Sequence, residues 1–300
     1  ALPLIDREAS LDVKVQAHAL LGRAYAKEKD GKASNEYGKV VATWKEPDKA
    51  AQSIMSIDGE DDAAKQRRLG RALTAVGEAI FFFAEKKREK VDAVEFPAYK
   101  GSGSMPEVKK HIETKVADWM KKKRPLIQEA SEEYRKVVNL QPLPPPQWVI
   151  AAGSRVGQMW AQFVAEFRAA PIPTSIKKDA FLRTSYYGAL DDASEPVKQQ
   201  ARSAYSLCLE YSVTHKYFDD FSRSCEKWLA ENYKAEFHLI DEFKGDPDRV
   251  NSVVAERPYP LQLGGEPFVV APVEAAPASK PEARPTEDQG RATKKQGASR

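Results

Sequence analysis

Apolar residues recur every three or four positions over most of the chain, which is the spacing of amphipathic α-helices. The longest such stretch, residues 61–91, places Leu69, Leu73 and Val76 on one stripe. Phe81–Phe83 make this helix apolar almost all round, so we expect it to be buried between two layers; an exposed partner-binding ridge is the alternative. The first 250 residues show no alternation of the kind that strands produce. The pattern predicts an all-α fold.

Prolines, glycines and charged runs indicate where these helices end. Pro97–Pro106 is rich in Gly and Ser, which predicts a loop. The basic run Lys121–Arg124 is expected to close a helix just before Pro125, because cations complement the partial negative charge of a helix C-terminus. Ser194 is expected to cap a new helix with Pro196 in its first turn. The last predicted helix is short and covers 235–243.

A small–large–small motif with helical spacing occurs three times, as Ala33–Tyr37–Val40, Ala130–Tyr134–Val137 and Ala201–Tyr205–Cys208. Leu21-Gly22-x-x-Tyr25 precedes the first motif and Pro47 follows it. This pattern resembles the tetratricopeptide repeat (TPR), a helix–turn–helix unit of about 34 residues, although the gap between Tyr25 and Ala33 is one residue short. The resemblance implies a TPR-like α-solenoid over residues 1–245, continuing from repeats upstream, with a concave groove for a partner.

The composition changes after residue 245. Pro258, Pro260 and Pro267 disfavour regular helix, so residues 246–270 are predicted to form an extended strap. Residues 271–300 are dominated by Ala, Pro, Glu, Lys and Gln, a composition that predicts a disordered tail.

Overall composition narrows the choice of function only slightly. A hydrophobic content of 42% and a charged content of 30% fit a soluble folded chain, and no run approaches the roughly 20 apolar residues of a membrane helix. A net charge of +3 does not by itself predict a polyanionic partner. The basic runs Lys86–Lys90 and Lys121–Arg124 leave a nucleic-acid-binding helical domain as an alternative.

The sequence does not predict a catalytic, metal or cofactor site. The four histidines, His18, His111, His215 and His238, lack metal-ligand spacing. Gly101–Ser104 lacks the lysine of a phosphate-binding loop. We therefore expect no enzyme, no cofactor and no small-molecule substrate, with a helical hydrolase as a further alternative.

Cys208 and Cys225 lie on two predicted helices joined near Thr214, at similar distances from the turn. They could face each other and form a disulfide in an oxidising compartment. The other interpretation is a pair of buried thiols, which pack as small apolar side chains.

Three later stretches are also similar to envelope tetratricopeptide proteins of myxobacteria, including those tied to gliding motility. They are WAQFVAEFRAAPIP (160–173), ALDDASEPVKQQAR (189–202) and SRSCEKWLAENYKAEFHLIDEF (222–243). This resemblance implies a scaffold of the periplasm or cell envelope, an oxidising setting and a Cys208–Cys225 bridge. A cytoplasmic location is the alternative.

The prediction from the sequence is thus a non-catalytic scaffold or adaptor in a multiprotein assembly. Its partner-binding wall is expected to consist of exposed aromatic and basic side chains on the first helix of each pair, and the tail would tether it or reach a second partner. The candidate residues are Lys14, His18, Arg71, Lys109 and Arg155.

Overall fold

The computed structural model describes residues 2–239, and every regular element in that range is helical, as predicted. The helices are α1 (Leu2–Glu8), α2 (Leu11–Lys27), α3 (Lys32–Thr43), α4 (Pro47–Met55), α5 (Asp62–Asp92), α6 (Met105–His111), α7 (Ala117–Val138), α8 (Pro146–Arg168), α9 (Thr174–Lys178), α10 (Ala180–His215) and α11 (Asp220–Asn232). A π-helical turn, Ile112–Val116, joins α6 to α7. The predicted strap and tail, 246–270 and 271–300, lie outside the described residues. Among the described helices, none combines the length and apolar character needed to cross a membrane.

The helices pack in successive pairs: α2 with α3, α5 with α7, and α8 with α10. Neighbouring pairs also contact each other, because α5 packs against both α2 and α3, and α8 packs against α7. One apolar core therefore extends from Val15 in α2 to Ala201 in α10. Burial of each helix between neighbours stabilises helices that would be marginal alone.

The three tyrosines of the repeated motif are all buried, with exposures of 3% for Tyr37, 1% for Tyr134 and 5% for Tyr205. Tyr37 and Tyr134 belong to this core, and Tyr205 belongs to a smaller apolar cluster around the disulfide. Glycine makes room for two of them. A Cβ atom on Gly22 would lie 2.9 Å from the Tyr37 ring, and one on Gly157 would lie 2.7 Å from the Tyr205 ring. The small–large spacing thus corresponds to close packing between the helices of a pair.

The long helix α5 agrees with the predicted stretch within one residue at each end. Asp61 caps it by accepting a hydrogen bond from the Ala64 backbone N–H at 2.6 Å. Phe81 is buried against Tyr134 and Trp148, with ring centroids 5.4 and 5.0 Å away. The aromatic triplet is therefore part of the packing between pairs and not an exposed ridge.

Two predicted helix breaks at prolines are wrong. Helix α7 continues through Pro125 and α10 continues through Pro196. Trp119 and Ile127 lie on either side of Pro125 and are both buried. Their packing outweighs the roughly 3 kcal/mol that an internal proline costs a helix.

Near the N-terminus, Leu4 and Val13 are 54% and 39% exposed. The predicted helix over 235–243 does not form in its described part, which contains a turn at 234–236. Helix α11 begins at Asp220, where Asp219 and Ser222 form a reciprocal capping box.

A disulfide joins α10 to α11 through Cys208 and Cys225. Both residues are fully buried. Of the two interpretations from the sequence, the structure contains the covalent bridge.

Candidate functional site

A groove runs along α8, with α7 forming one wall and α10 the other. Its wide part has a volume of about 910 Å³ and an apolar floor that includes Val156 and Trp160. Its narrow part, about 340 Å³, continues along the same three helices past Phe163 and Phe167. Pro196 lines the wide part and the next residue lines the narrow part, so the two parts adjoin. We call the whole feature the α8 groove.

Two glycines on α8 explain how closely α10 approaches the groove floor. A Cβ atom on Gly153 would lie 3.0 Å from the Cβ atom of Cys208 and 3.1 Å from the carbonyl oxygen of Ala204. Gly157, one turn later, lies under the Tyr205 ring. These contacts hold α10 against one side of α8, while α7 packs on α8 from the other side.

The walls of the wide part carry polar side chains. Gln128 and Asn139 come from the α7 side and Gln200 from α10. These three amides are exposed, and their side chains form no hydrogen bond within residues 2–239. Each amide offers both a donor and an acceptor, so together they can pair with the backbone of a bound peptide.

The narrow part is apolar, with a cationic rim. Phe163 is 5% exposed and stacks on Trp119 with ring centroids 4.7 Å apart. Val197 of α10 closes the opposite side. Lys121 and Arg124 of α7 line the same pocket and are exposed.

None of the five residues predicted to bind a partner lines the α8 groove. Lys14 and His18 lie together in a separate shallow depression. His18 is only 6% exposed, with Nδ1 2.5 Å from Glu36 Oε2 and Nε2 2.8 Å from Asp6 Oδ1. The expectation that His18 is exposed is wrong, because these contacts tie it to α1 and α3.

The other three predicted residues lie on three different helices and differ in their exposure. Arg155 is half-buried, donates a hydrogen bond to Glu85 at 3.1 Å and lies over the Phe221 ring. Arg71 is exposed on α5, and Lys109 is exposed on α6. A partner-binding role for each of the five residues, His18 and Arg155 included, stays a prediction.

Buried ion pairs hold the helix pairs together elsewhere. Arg68 donates to Asp12 at 2.9 and 2.8 Å, and Asp12 also accepts from Ser10. Burial opposes ionisation of Asp12, but the hydrogen bonds from Arg68 and Ser10 outweigh it and hold the pKa of Asp12 below its ordinary value. Tyr205, which packs between α8 and α10 beside the groove, is neutral at physiological pH, because burial raises its pKa to about 12.

The two basic runs are partly neutralised. In Lys86–Lys90, Lys87 pairs with Glu129, and Arg88 pairs with Glu85 and Asp92. In the second run, Lys123 is buried and pairs with Glu166. This arrangement gives the nucleic-acid alternative little support, because the runs do not present continuous cationic surfaces.

Comparison with known proteins gives no further guide. A scan against protein-family models, a search of curated proteins and a search of solved structures each found no match to this chain. Within residues 2–239, moreover, no three His, Cys, Asp or Glu side chains are grouped so that they could hold a metal ion. A functional assignment therefore rests on the geometry of the chain itself.

The sequence held part of the signal for the α8 groove. Gln128, Glu132, Arg135 and Asn139 follow helical spacing on the face of α7 opposite its buried motif. Such a polar stripe is also what any solvated helix face shows. The polar stripe becomes a wall of a groove only because α10 packs on the other side of α8, and this tertiary contact cannot be inferred from the spacing on α7 alone.

Proposed function

We propose that this protein is a non-catalytic scaffold that binds a peptide segment of a partner protein in the α8 groove. The observation that carries the proposal is the set of unpaired amides, Gln128, Asn139 and Gln200, placed above the apolar floor formed by Val156 and Trp160. An apolar floor supplies affinity, and a few placed polar groups supply orientation.

The dimensions suit a short polypeptide. The floor extends along α8 from Ala152 to Phe167, which corresponds to about 22 Å at 1.5 Å per helical residue. A strand rises about 3.3 Å per residue, so about seven extended residues would fill this length. Burial of one large apolar side chain on the floor contributes about 2 kcal/mol.

The packing of helix pairs supports a TPR-like array as the framework of this site. Each of the three pairs, α2/α3, α5/α7 and α8/α10, contains one copy of the buried small–large–small motif. The linkers and helices are longer and less regular than in a repeat of about 34 residues. Long helices α7 and α10 make the groove walls correspondingly long.

We place the scaffold in the cell envelope, as part of a multiprotein assembly. The disulfide between Cys208 and Cys225 supports this location, because such bridges persist in oxidising compartments. Fractionation of cells that express the native gene tests the location. Recovery in the periplasmic or envelope fraction with blocked thiols is expected, and recovery of reduced protein in the cytoplasm would contradict it.

The binding proposal is tested by panning a phage library of random 12-residue peptides against the full-length chain. Selected peptides are then measured by fluorescence anisotropy on two variants that carry the same substitution. Gln200→Trp fills the groove from an exposed wall position, whereas Gln66→Trp alters an exposed position on α5 outside it. We expect at least tenfold weaker binding to Gln200→Trp and unchanged binding to Gln66→Trp. Failure to select any peptide, or equal binding to both variants, would contradict the proposal.

A further inference from the structure

The narrow end of the α8 groove carries an unbalanced positive charge. Lys121 and Arg124 are three residues apart on α7, so they lie on the same helix face. Both line the narrow pocket and are exposed, and neither has an ion-pair partner within residues 2–239. Two like charges at this spacing repel each other slightly unless an anion lies between them.

Two acidic side chains close in sequence to the pocket-lining residues pair with other cations. Glu166 pairs with Lys123 at 2.7 Å, and Asp191 pairs with Arg168 at 2.9 Å. None of the residues that line the narrow pocket is acidic. The positive charge at this end is therefore not compensated by the lining.

The wide end of the groove differs in this respect. Its charged lining residues, Glu132 and Arg135, pair with each other at 2.8 Å. The wide end thus offers a balanced polar surface, and the narrow end offers cations beside apolar walls. Because the two ends differ in charge, the two orientations in which a peptide segment could bind in the groove are not equivalent.

The narrow pocket can accept a large apolar side chain. Phe163 and Val164 form a buried base, and Met120 and Val197 close the sides. A pocket of about 340 Å³ with this lining accommodates a Leu, Met or Phe side chain.

We propose that the peptide bound in the α8 groove carries a large apolar residue with a carboxylate within two positions of it. The apolar side chain enters the narrow pocket, and the carboxylate lies between Lys121 and Arg124. This inference rests on the proposed function, since it names the chemistry of the segment that occupies the same groove. The charge-assisted hydrogen bonds would fix the direction of the segment as well as add affinity.

The test uses the same 12-residue phage library, panned against the full-length chain and two double variants. Lys121→Glu/Arg124→Glu reverses the charge at the pocket. Lys115→Glu/Lys122→Glu makes the same change in net charge at exposed positions that do not line the pocket. Circular dichroism checks that both variants are folded.

The native chain and the control variant are expected to enrich Asp or Glu within two positions of a large apolar residue. The reversed variant is expected to bind these acidic peptides about tenfold more weakly and to prefer Lys or Arg at the same position. The difference is expected to shrink between 50 and 500 mM NaCl, because exposed charge pairs are screened.

The outcomes separate this inference from the proposed function. Peptides that bind in a manner sensitive to Gln200→Trp, but without acidic preference or sensitivity to charge reversal, would overturn the inference and leave the groove as a peptide site. Equal losses in the reversed and control variants would also overturn it, because net charge alone would then explain the effect. If no peptide binds, the proposed function fails and this inference fails with it.

Discussion

Glu78 offers the clearest test of how the helix pairs are joined. Its carboxylate is 8% exposed and lies on α5 between the first and second pairs. Oε1 accepts from Arg23 Nε and from the Tyr37 hydroxyl, both at 2.8 Å, and Oε2 accepts from Arg23 Nη2. One side chain therefore ties α5 to both α2 and α3.

The loss of stability in Glu78→Ala depends on whether water can replace the carboxylate as the hydrogen-bond acceptor of each partner. The Arg23 side chain is 53% exposed, so water replaces most of what it loses. Tyr37 is 3% exposed, so its hydroxyl would remain buried without an acceptor, at a cost of about 1–3 kcal/mol. With the lost charge-assisted bonds, we expect the free energy of unfolding to fall by about 3 kcal/mol.

Urea unfolding followed by circular dichroism measures this change. With a slope of about 3 kcal/mol per molar urea, the midpoint should fall by about 1 M. Glu89→Ala, at an exposed position on the same helix, is the control and should change stability by less than about 0.5 kcal/mol.

A double-mutant cycle isolates the buried contact. Tyr37→Phe alone should cost about 1 kcal/mol, and the double variant Glu78→Ala/Tyr37→Phe should cost at least about 1 kcal/mol less than the sum of the single variants. Additive effects, or a cost of Glu78→Ala no larger than that of Glu89→Ala, would refute the reasoning.

Three further predictions concern other contacts. Replacing Cys208 and Cys225 by Ala removes a bridge across 17 positions, which should lower the free energy of unfolding by about 3 kcal/mol and the Tm by about 10 °C. Reductant should lower the Tm of the native chain by the same amount and leave that of the variant unchanged, whereas an unchanged Tm in the variant would contradict a stabilising disulfide. The pKa of Asp12 is lower in the folded state, so its ion pair with Arg68 stabilises the fold above about pH 4, and this stabilisation is lost as the pH falls through the pKa of the folded state. In urea unfolding measured from pH 7 to 2, Asp12→Asn should make the free energy of unfolding fall less steeply with decreasing pH. An unchanged slope would count against this pairing. Gly157→Val should lower stability by at least about 1–3 kcal/mol in the same assay, because the added atoms meet a buried ring, whereas a neutral effect would show that the α8–α10 contact is loose.

Local periodicity was sufficient to predict the all-helical character of the described residues. The buried stripe of α5 follows from residue spacing, and its bounds agree within one residue at each end. Tyr37, Tyr134 and Tyr205 were recognisable because a small residue four positions earlier and another three positions later repeat around each of them. Such features depend on one helix and its immediate neighbour, and both leave a regular pattern in the sequence.

Features that depend on contacts between distant helices could not be predicted from local periodicity. Proline at positions 125 and 196 signals a break locally, but packing on both sides keeps α7 and α10 continuous. His18 was a candidate for the exposed partner-binding wall, yet Asp6 and Glu36 from two other helices contact both of its ring nitrogens. The groove residues Gln128 and Gln200 are 72 positions apart, and only the packing of α7 and α10 on α8 places them on the same site.

The most direct test of the central claim is to map where a selected peptide lies on the full-length chain. The photo-crosslinking residue p-benzoylphenylalanine is placed at Gln200 in the α8 groove or at Gln66 on α5, and crosslinked peptide is quantified by mass spectrometry. The account predicts strong crosslinking from position 200 and background levels from position 66. Background levels at position 200, or equal crosslinking at both positions, would contradict a peptide site in the α8 groove.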